Sequence, residues 1–224
     1  MYELSNILVE QGTDTSRLLI AFTGFQGALT MPPYDFFAAS GQLGASRILL
    51  RDSTHLLYFK GCPPDAPGFE TLLQRLRAEI ARLSPQRITC VGTSSGGFAA
   101  MLFGHLLGVD EVHAFAPTVY GSVSLTLWKR DWQQLRQRIS PKHLLFEMLI
   151  PLHLWKYRNL PRVLRTWNDR TTFTVHVCSK NAHDMQRADS FRGLPHVEIA
   201  IHECSTHQVA RHLVREGKLL DVFT

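Results

Sequence analysis

The sequence has little cysteine, and its cysteines do not show the spacing of a metal site. Its 224 residues include four, Cys62, Cys90, Cys178 and Cys204, and no C-x-x-C pair occurs among them. Disulfide-stapled domains and zinc modules depend on dense or regularly spaced cysteines. We therefore expect all four to be reduced core residues.

Long apolar runs are absent as well. No run approaches the roughly 18 apolar residues that a membrane-spanning helix needs. The first residues, Met1 to Asn6, carry an acid and polar groups where a secretory signal has basic and then apolar residues. These features predict a soluble, cytoplasmic protein. With 45% apolar and 19% charged residues, the chain fits one globular domain with a sizeable core.

Positive charge is in excess, but it is concentrated in one segment. The net charge is +5, and residues 121–170 hold ten Lys or Arg against three acids. A surplus confined to one segment is a local feature of the surface, whereas a nucleic-acid-binding protein is expected to be basic along a whole face. We therefore expect no nucleic-acid partner.

Apolar strand patterns alternate with helical ones along most of the chain. Near-continuous apolar runs of this kind indicate strands of a mostly parallel sheet with helices on both faces, an α/β fold. The predicted strands are Ile7–Glu10, Arg17–Phe22, Arg47–Arg51, Arg87–Val91, Glu111–Ala116, Thr171–Cys178 and Val197–Cys204, and the main predicted helices are Phe69–Leu83, Phe98–Leu107 and Gln208–Val222.

One connection is too long for this alternation. About fifty residues, roughly 120–168, separate two predicted strands, and connections of that length usually carry function or structure of their own. We interpret the segment as a helical cap inserted into a single domain that spans 1–224. Its large apolar residues are candidates for a substrate pocket: Trp128, Trp132, Phe146, Leu149 and Trp155.

The most informative stretch is Gly92-Thr93-Ser94-Ser95-Gly96, which lies between a predicted strand and a predicted helix. G-x-S-x-G in that context is typical of a nucleophile elbow, where a tight turn holds the central serine in a strained conformation above the sheet. Ser94 is therefore the candidate nucleophile. The helix that follows presents free N–H groups and a positive dipole end to developing negative charge.

A serine needs a base to take its proton, and His207 is the candidate. It follows the last predicted strand and precedes the last helix, which places it at the same edge of the sheet as Ser94. His183 also follows a strand, but it precedes the last strand, where the order Ser, acid, His requires the acid. The remaining histidines that we weighed lie within or next to predicted elements: His105, His113, His176, His196, His202 and His212.

Two aspartates compete for the role of the acid that orients the base. Asp184 lies in the loop after the preceding strand, but an aspartate there could equally cap a helix. Asp52 ends another strand at the same edge and is the alternative, although it could be a turn former. A metal site built from His183, Asp184 and His207 lacks an H-x-H or H-x-x-x-H pair to anchor it.

An acyl-transfer site also needs donors for the oxyanion. The N–H of Ser95, next to the nucleophile, supplies one, and the loop after Phe22 should supply the second. In Thr23-Gly24-Phe25 the candidate is the N–H of Phe25, with Gly24 allowing close approach of the backbone.

These residues together resemble the α/β-hydrolase superfamily of serine enzymes, from about Leu18 to Phe223. The resemblance implies a catalytic triad and an acyl-enzyme mechanism without a cofactor. The chain departs from the family in having Thr23-Gly24 where many members have His-Gly, and in lacking most of the leading antiparallel strands.

Three functions are compatible with this resemblance. The first is hydrolysis of an ester or thioester, and the basic cap suggests a substrate carried on coenzyme A or on an acidic carrier protein. The second is acyl transfer to an alcohol or amine by the same residues. The third is a ligand-binding protein that keeps the scaffold without the chemistry.

Overall fold

A seven-stranded, mostly parallel sheet forms the centre of the computed structural model, which describes residues 5–24, 36–121, 151–166 and 170–223. Its strands, in spatial order, are β1 (Ile7–Glu10), β3 (Ala45–Leu50), β2 (Asp14–Phe22), β6 (Arg87–Thr93), β7 (Glu111–Phe115), β8 (Thr172–Cys178) and β9 (Val197–His202). Only β1 runs antiparallel, against β3, and all other neighbours in this sheet pair in parallel. The predicted α/β class is therefore confirmed.

The strands of this sheet are short and mostly buried. A separate antiparallel ribbon consists of β4 (Gly61–Cys62) and β5 (Ala66–Pro67). The helices are α1 Phe37–Ser40, α2 Phe69–Leu83, α3 Ser95–Leu107, α4 Leu160–Leu164, α5 Ala182–Asp189 and α6 Val209–Arg215, with 3₁₀ turns at Leu152–Arg158 and Leu220–Val222.

Helices cover the sheet on both faces, as apolar strands in a parallel sheet require. One face packs on α2, α3 and α4, and α3 is buried along its first ten residues, from Ser95 to Gly104. The smaller core on the other face includes residues of α6 and the chain end. In the described ranges, no helix has the length and apolar character needed to cross a membrane.

The last predicted helix is shorter in the structure than in the sequence reading. Instead of one helix over Gln208–Val222, α6 ends at Arg215 and a 3₁₀ turn follows at Leu220–Val222. Gly217 lies between them with φ 70°, a left-handed conformation that terminates helices.

Most of the predicted cap, including Trp128, Trp132, Phe146 and Leu149, lies outside the described residues. Its described end, 151–166, is helical. Trp155 is 50% exposed and carries the Arg158 guanidinium 4.2 Å above its ring. Its neighbours, rather than its indole, line a cavity of about 480 Å³ at the start of α2, with walls that include Phe59, Phe69, Pro151, His153 and Leu154.

Candidate active site

Ser94 occupies a sharp turn between β6 and α3, in a backbone conformation that few residues adopt. Its φ is 54° and its ψ is −113°, outside the regions open to most side chains. The turn is held to the end of β7, because the Ser94 N–H donates to the Phe115 carbonyl (2.8 Å) and the Ser94 carbonyl accepts from the Thr118 N–H (3.0 Å). Strain that the surroundings enforce in this way is typical of functional positions.

The two glycines of the pattern are required by close packing. A Cβ on Gly92 would lie 2.2 Å from the Gly96 carbonyl oxygen, and one on Gly96 would lie 2.1 Å from that of Phe22. The first contact closes the turn, and the second packs the start of α3 against the end of β2. Because α3 begins at Ser95, the Ser95 N–H belongs to the first helical turn, whose N–H groups lack intrahelical acceptors.

His207 and Asp184 form a hydrogen-bonded pair at the same edge of the sheet. His207 follows β9, Asp184 lies in the first turn of α5 after β8, and Ser94 follows β6, so all three are reached from carboxyl ends of parallel strands. His207 Nδ1 lies 2.9 and 2.8 Å from the two carboxylate oxygens of Asp184. Asp184 is 1% exposed, whereas the His207 side chain is 35% exposed. A buried carboxylate thus orients an accessible imidazole.

A guanidinium near Asp184 compensates the negative charge of the carboxylate. Arg187 Nη1 lies 3.8 Å from the carboxylate, and His183 Nδ1 lies 3.9 Å from it. The cap of α5 is Asn181, whose side chain accepts a hydrogen bond from the Asp184 N–H. The Asp184 side chain therefore does not cap the helix. Sequence reasoning missed Arg187, which lies one helical turn after the acid, a spacing at which side chains meet.

Asp52, the alternative acid, serves its own loop. One carboxylate oxygen accepts from the Thr54 N–H (3.0 Å) and hydroxyl (2.6 Å), and the other from the N–H groups of Leu56 (2.8 Å) and Tyr58 (2.9 Å). These contacts are those of a turn former, which was the alternative to a catalytic role for Asp52.

The loop expected to supply the second oxyanion donor begins beside the elbow. The Thr23 N–H donates to the Leu50 carbonyl (2.9 Å), and the close approach of Gly96 involves the carbonyls of both Phe22 and Thr23. Phe25 itself lies outside the described residues, so its assignment remains a prediction.

The prediction of four reduced cysteines is wrong for two of them. Cys178, the last residue of β8, forms a disulfide with Cys204, two residues beyond β9, while Cys62 and Cys90 are free and buried. The two strands are parallel neighbours, so their ends meet although 26 residues separate them in sequence. The disulfide therefore ties the end of β8, which leads into the helix of Asp184, to the segment after β9 that carries His207.

No cluster suited to a metal ion is found in the part of the chain that the structure describes. The arrangement assembled there is a serine on a strained turn at a helix N-terminus, together with an oriented imidazole. A strained serine and an oriented imidazole are the groups that nucleophilic acyl transfer uses.

The sheet topology and the elbow define the α/β-hydrolase fold, and solved structures with this fold are similar to nearly the whole chain. The capsule O-acetyltransferase of Neisseria meningitidis serogroup A matches 98% of this chain and 92% of its own, at TM-score 0.67 and 15% identity. MenH from S. aureus matches 98% of this chain and 97% of its own, at TM-score 0.63 and 11% identity. An α/β hydrolase from a lagoon-sediment metagenome matches 96% and 95%, at TM-score 0.56 and 13% identity. No protein-family model and no curated protein matches the chain.

Proposed function

We propose that this protein is a serine enzyme that cleaves an ester or thioester through an acyl-enzyme intermediate on Ser94. The observation that carries the proposal is the His207–Asp184 pair, with nitrogen-oxygen distances of 2.8 and 2.9 Å, at the sheet edge that also bears the strained Ser94. A strained serine alone could be structural. A buried carboxylate that holds an accessible imidazole at the same edge supplies the base that a serine nucleophile requires.

In the proposed mechanism the Ser94 hydroxyl attacks the acyl carbonyl and transfers its proton to His207 Nε2. The Nδ1–H of His207 donates to Asp184, which fixes the tautomer and stabilises the imidazolium. The N–H groups of Ser95 and Phe25 bind the oxyanion. His207 then returns the proton to the leaving alcohol or thiol, and the acyl group passes to water by the same steps in reverse order.

A second candidate is acyl transfer to an alcohol, and the comparison with the capsule O-acetyltransferase favours it. Three structures of that enzyme are similar to this chain at TM-scores of 0.65 to 0.67, and one of them is described as a complex with CoA. The chemistry up to the acyl-enzyme is shared, and the outcome depends on whether water or another nucleophile reaches it. A coenzyme A thioester, or a thioester on an acidic carrier, remains our proposal for the acyl donor.

Labelling with a fluorophosphonate tests the nucleophile. We expect stoichiometric labelling of the native protein, none of Ser94→Ala and very slow labelling of His207→Ala. Labelling that persists in Ser94→Ala would contradict the proposal and direct attention to Ser95.

The acid is tested by Asp184→Asn, which should lower kcat on the order of 10⁴-fold, as loss of the orienting carboxylate does in serine proteases. Asp52→Asn is the comparison variant, and we expect it to lower kcat by less than about tenfold, because the Asp52 carboxylate accepts hydrogen bonds from its own loop.

The two candidate functions are separated by product analysis. The acyl-enzyme is formed from p-nitrophenyl acetate or acetyl-CoA, with and without glycerol as an alcohol acceptor. A hydrolase should release acetate at the same rate in both cases, whereas a transferase should form glycerol acetate at the expense of acetate.

A further inference from the structure

Tyr58 lies beneath the point where the proposed oxyanion loop leaves the sheet. Its side chain is fully buried, and its hydroxyl lies 3.0 Å from the Thr23 carbonyl and 3.0 Å from the Leu50 carbonyl. Thr23 is the first residue after β2, and Leu50 is the last residue of β3. The hydroxyl has one hydrogen to donate, shared between two carbonyls that end neighbouring strands.

The loop that carries Tyr58 adopts an unfavourable backbone conformation to place it there. His55, Leu57 and Tyr58 have φ values of 56°, 58° and 62°, in the left-handed region that residues other than glycine avoid. The Asp52 carboxylate holds this conformation through the N–H groups of Leu56 and Tyr58. Such conformations persist only where the surroundings impose them, and they are concentrated near functional sites.

The Thr23 carbonyl belongs to the peptide that leads into Gly24 and the proposed oxyanion loop. The same peptide also approaches the elbow, because a Cβ on Gly96 would lie 2.9 Å from the Thr23 carbonyl carbon. The peptide thus lies close to both the Tyr58 hydroxyl and the start of α3. Any shift of this peptide changes the separation between the oxyanion loop and the Ser95 N–H.

We propose that Tyr58 is a positioning residue that aligns the oxyanion loop with the Ser95 N–H, and that Asp52 supports it. The inference rests on the proposed function, since it assigns Tyr58 a role in binding the oxyanion of that reaction. Tyr58 does not touch the substrate in this role. It acts through the Thr23–Gly24 peptide, whose orientation its hydroxyl fixes.

Tyr58→Phe tests the proposal, because it removes the hydroxyl and keeps the ring, which packs edge-on against Phe22 at 5.3 Å. Removal of an oxyanion donor lowers kcat about 10²- to 10³-fold, and misalignment of one should cost about tenfold. We expect kcat for p-nitrophenyl acetate to fall about tenfold in Tyr58→Phe, with KM nearly unchanged. The affinity for trifluoroacetone, which forms a tetrahedral adduct with a reactive serine, should fall by the same factor.

The matched control is Tyr157→Phe, which removes a tyrosine hydroxyl from a half-buried ring that stacks on Phe69 of α2 at 5.2 Å. It should leave kcat and inhibitor affinity unchanged. If Tyr58→Phe lowers the melting temperature but changes neither kcat nor inhibitor affinity, Tyr58 is merely structural and the inference is wrong.

A second variant keeps the inference testable if Tyr58→Phe does not fold. Asp52→Asn weakens the support of the Tyr58 loop, and we expect a smaller loss of kcat, again without a change in KM. An unchanged kcat in a folded Asp52→Asn protein would overturn the supporting role. Failure of the proposed function is recognised separately, because the Ser94→Ala protein would then keep its activity whatever happens at Tyr58.

Discussion

Acid should destabilise this protein through a row of three histidines on neighbouring strands. His113 on β7, His176 on β8 and His202 on β9 are linked by nitrogen-nitrogen contacts of 3.2 and 3.0 Å. His176, in the middle, is 4% exposed and stacks on Phe115 at 4.6 Å. Burial, and then the neighbouring His113 and His202, lower the pKa of His176 from 6.5 to about 3. Burial also lowers the pKa values of His113 and His202.

The sign of the effect follows from which state binds protons first. As the pH falls below 6.5, His176 is protonated in the unfolded chain but stays neutral in the fold until about pH 3. The fold therefore loses stability over this range, and keeps its full stability above it. For these two pKa values the loss between about pH 7 and pH 5 is about 2 kcal/mol from His176 alone.

Charged groups next to the row act on its ends more than on its centre. Glu111 raises and Arg87 lowers the pKa of His113. At the other end His212 and Lys218 lower the pKa of His202, and Glu216 raises it. His176 faces the two other imidazoles and Phe115, so its contribution is the one to isolate experimentally.

The measurement is urea unfolding, followed by circular dichroism between about pH 7 and pH 5, for the native protein and His176→Phe. Phenylalanine keeps a ring beside Phe115 and cannot titrate, so the pH-dependent loss should be about 2 kcal/mol smaller in the variant. The overall stability of the variant falls, because the nitrogen contacts of His176 with His113 and His202 are lost. Only the change of stability with pH is diagnostic. His153→Gln, at a side chain that is 60% exposed, is the control for replacing a histidine outside this row. Equal slopes for the native protein and His176→Phe would refute the reasoning.

Two further predictions concern the disulfide and the elbow. Alkylation of the denatured, unreduced protein should modify two cysteines, and alkylation after reduction should modify four, as measured by mass spectrometry. Four modified cysteines in both samples would exclude the Cys178–Cys204 bond. Gly96→Ala should destabilise the fold by about 3 kcal/mol or more, because its Cβ would lie 2.1 Å from the Phe22 carbonyl oxygen. Gly193→Ala is the control, because no atom lies within 4 Å of the added Cβ. It should cost only the backbone strain at φ 76°, about 1 to 2 kcal/mol. Equal losses of stability in the two variants, measured by thermal denaturation, would contradict this account.

Local signals carried most of what could be predicted. The strand-turn-helix around Ser94 is specified within a dozen residues, because the glycines, the apolar strand and the apolar helix are contiguous in sequence. The same is true of β6, α2 and α3, whose apolar patterns match the faces that they bury. Element ends were less accurate: α6 stops before the predicted end because Gly217 terminates it.

Contacts between distant segments were accessible only from the structure. The cysteines show no spacing that predicts a bond, yet parallel pairing of β8 with β9 brings Cys178 to Cys204. The choice between Asp184 and Asp52 was open for the same reason, since both follow strands at the same edge. It depends on which carboxylate meets an imidazole and which meets the backbone of its own loop.

The sequence by itself determined the alternation of strands and helices, the order Ser94, Asp184, His207 and the need for glycine around the serine, because these properties depend on neighbouring residues. Tertiary structure alone decided that His207 meets Asp184, that the Tyr58 hydroxyl meets the ends of β2 and β3, and that a disulfide joins the end of β8 to the segment after β9. The physical reason is register: parallel pairing sets which strand ends meet, and a contact between strand ends depends on that pairing rather than on any local pattern.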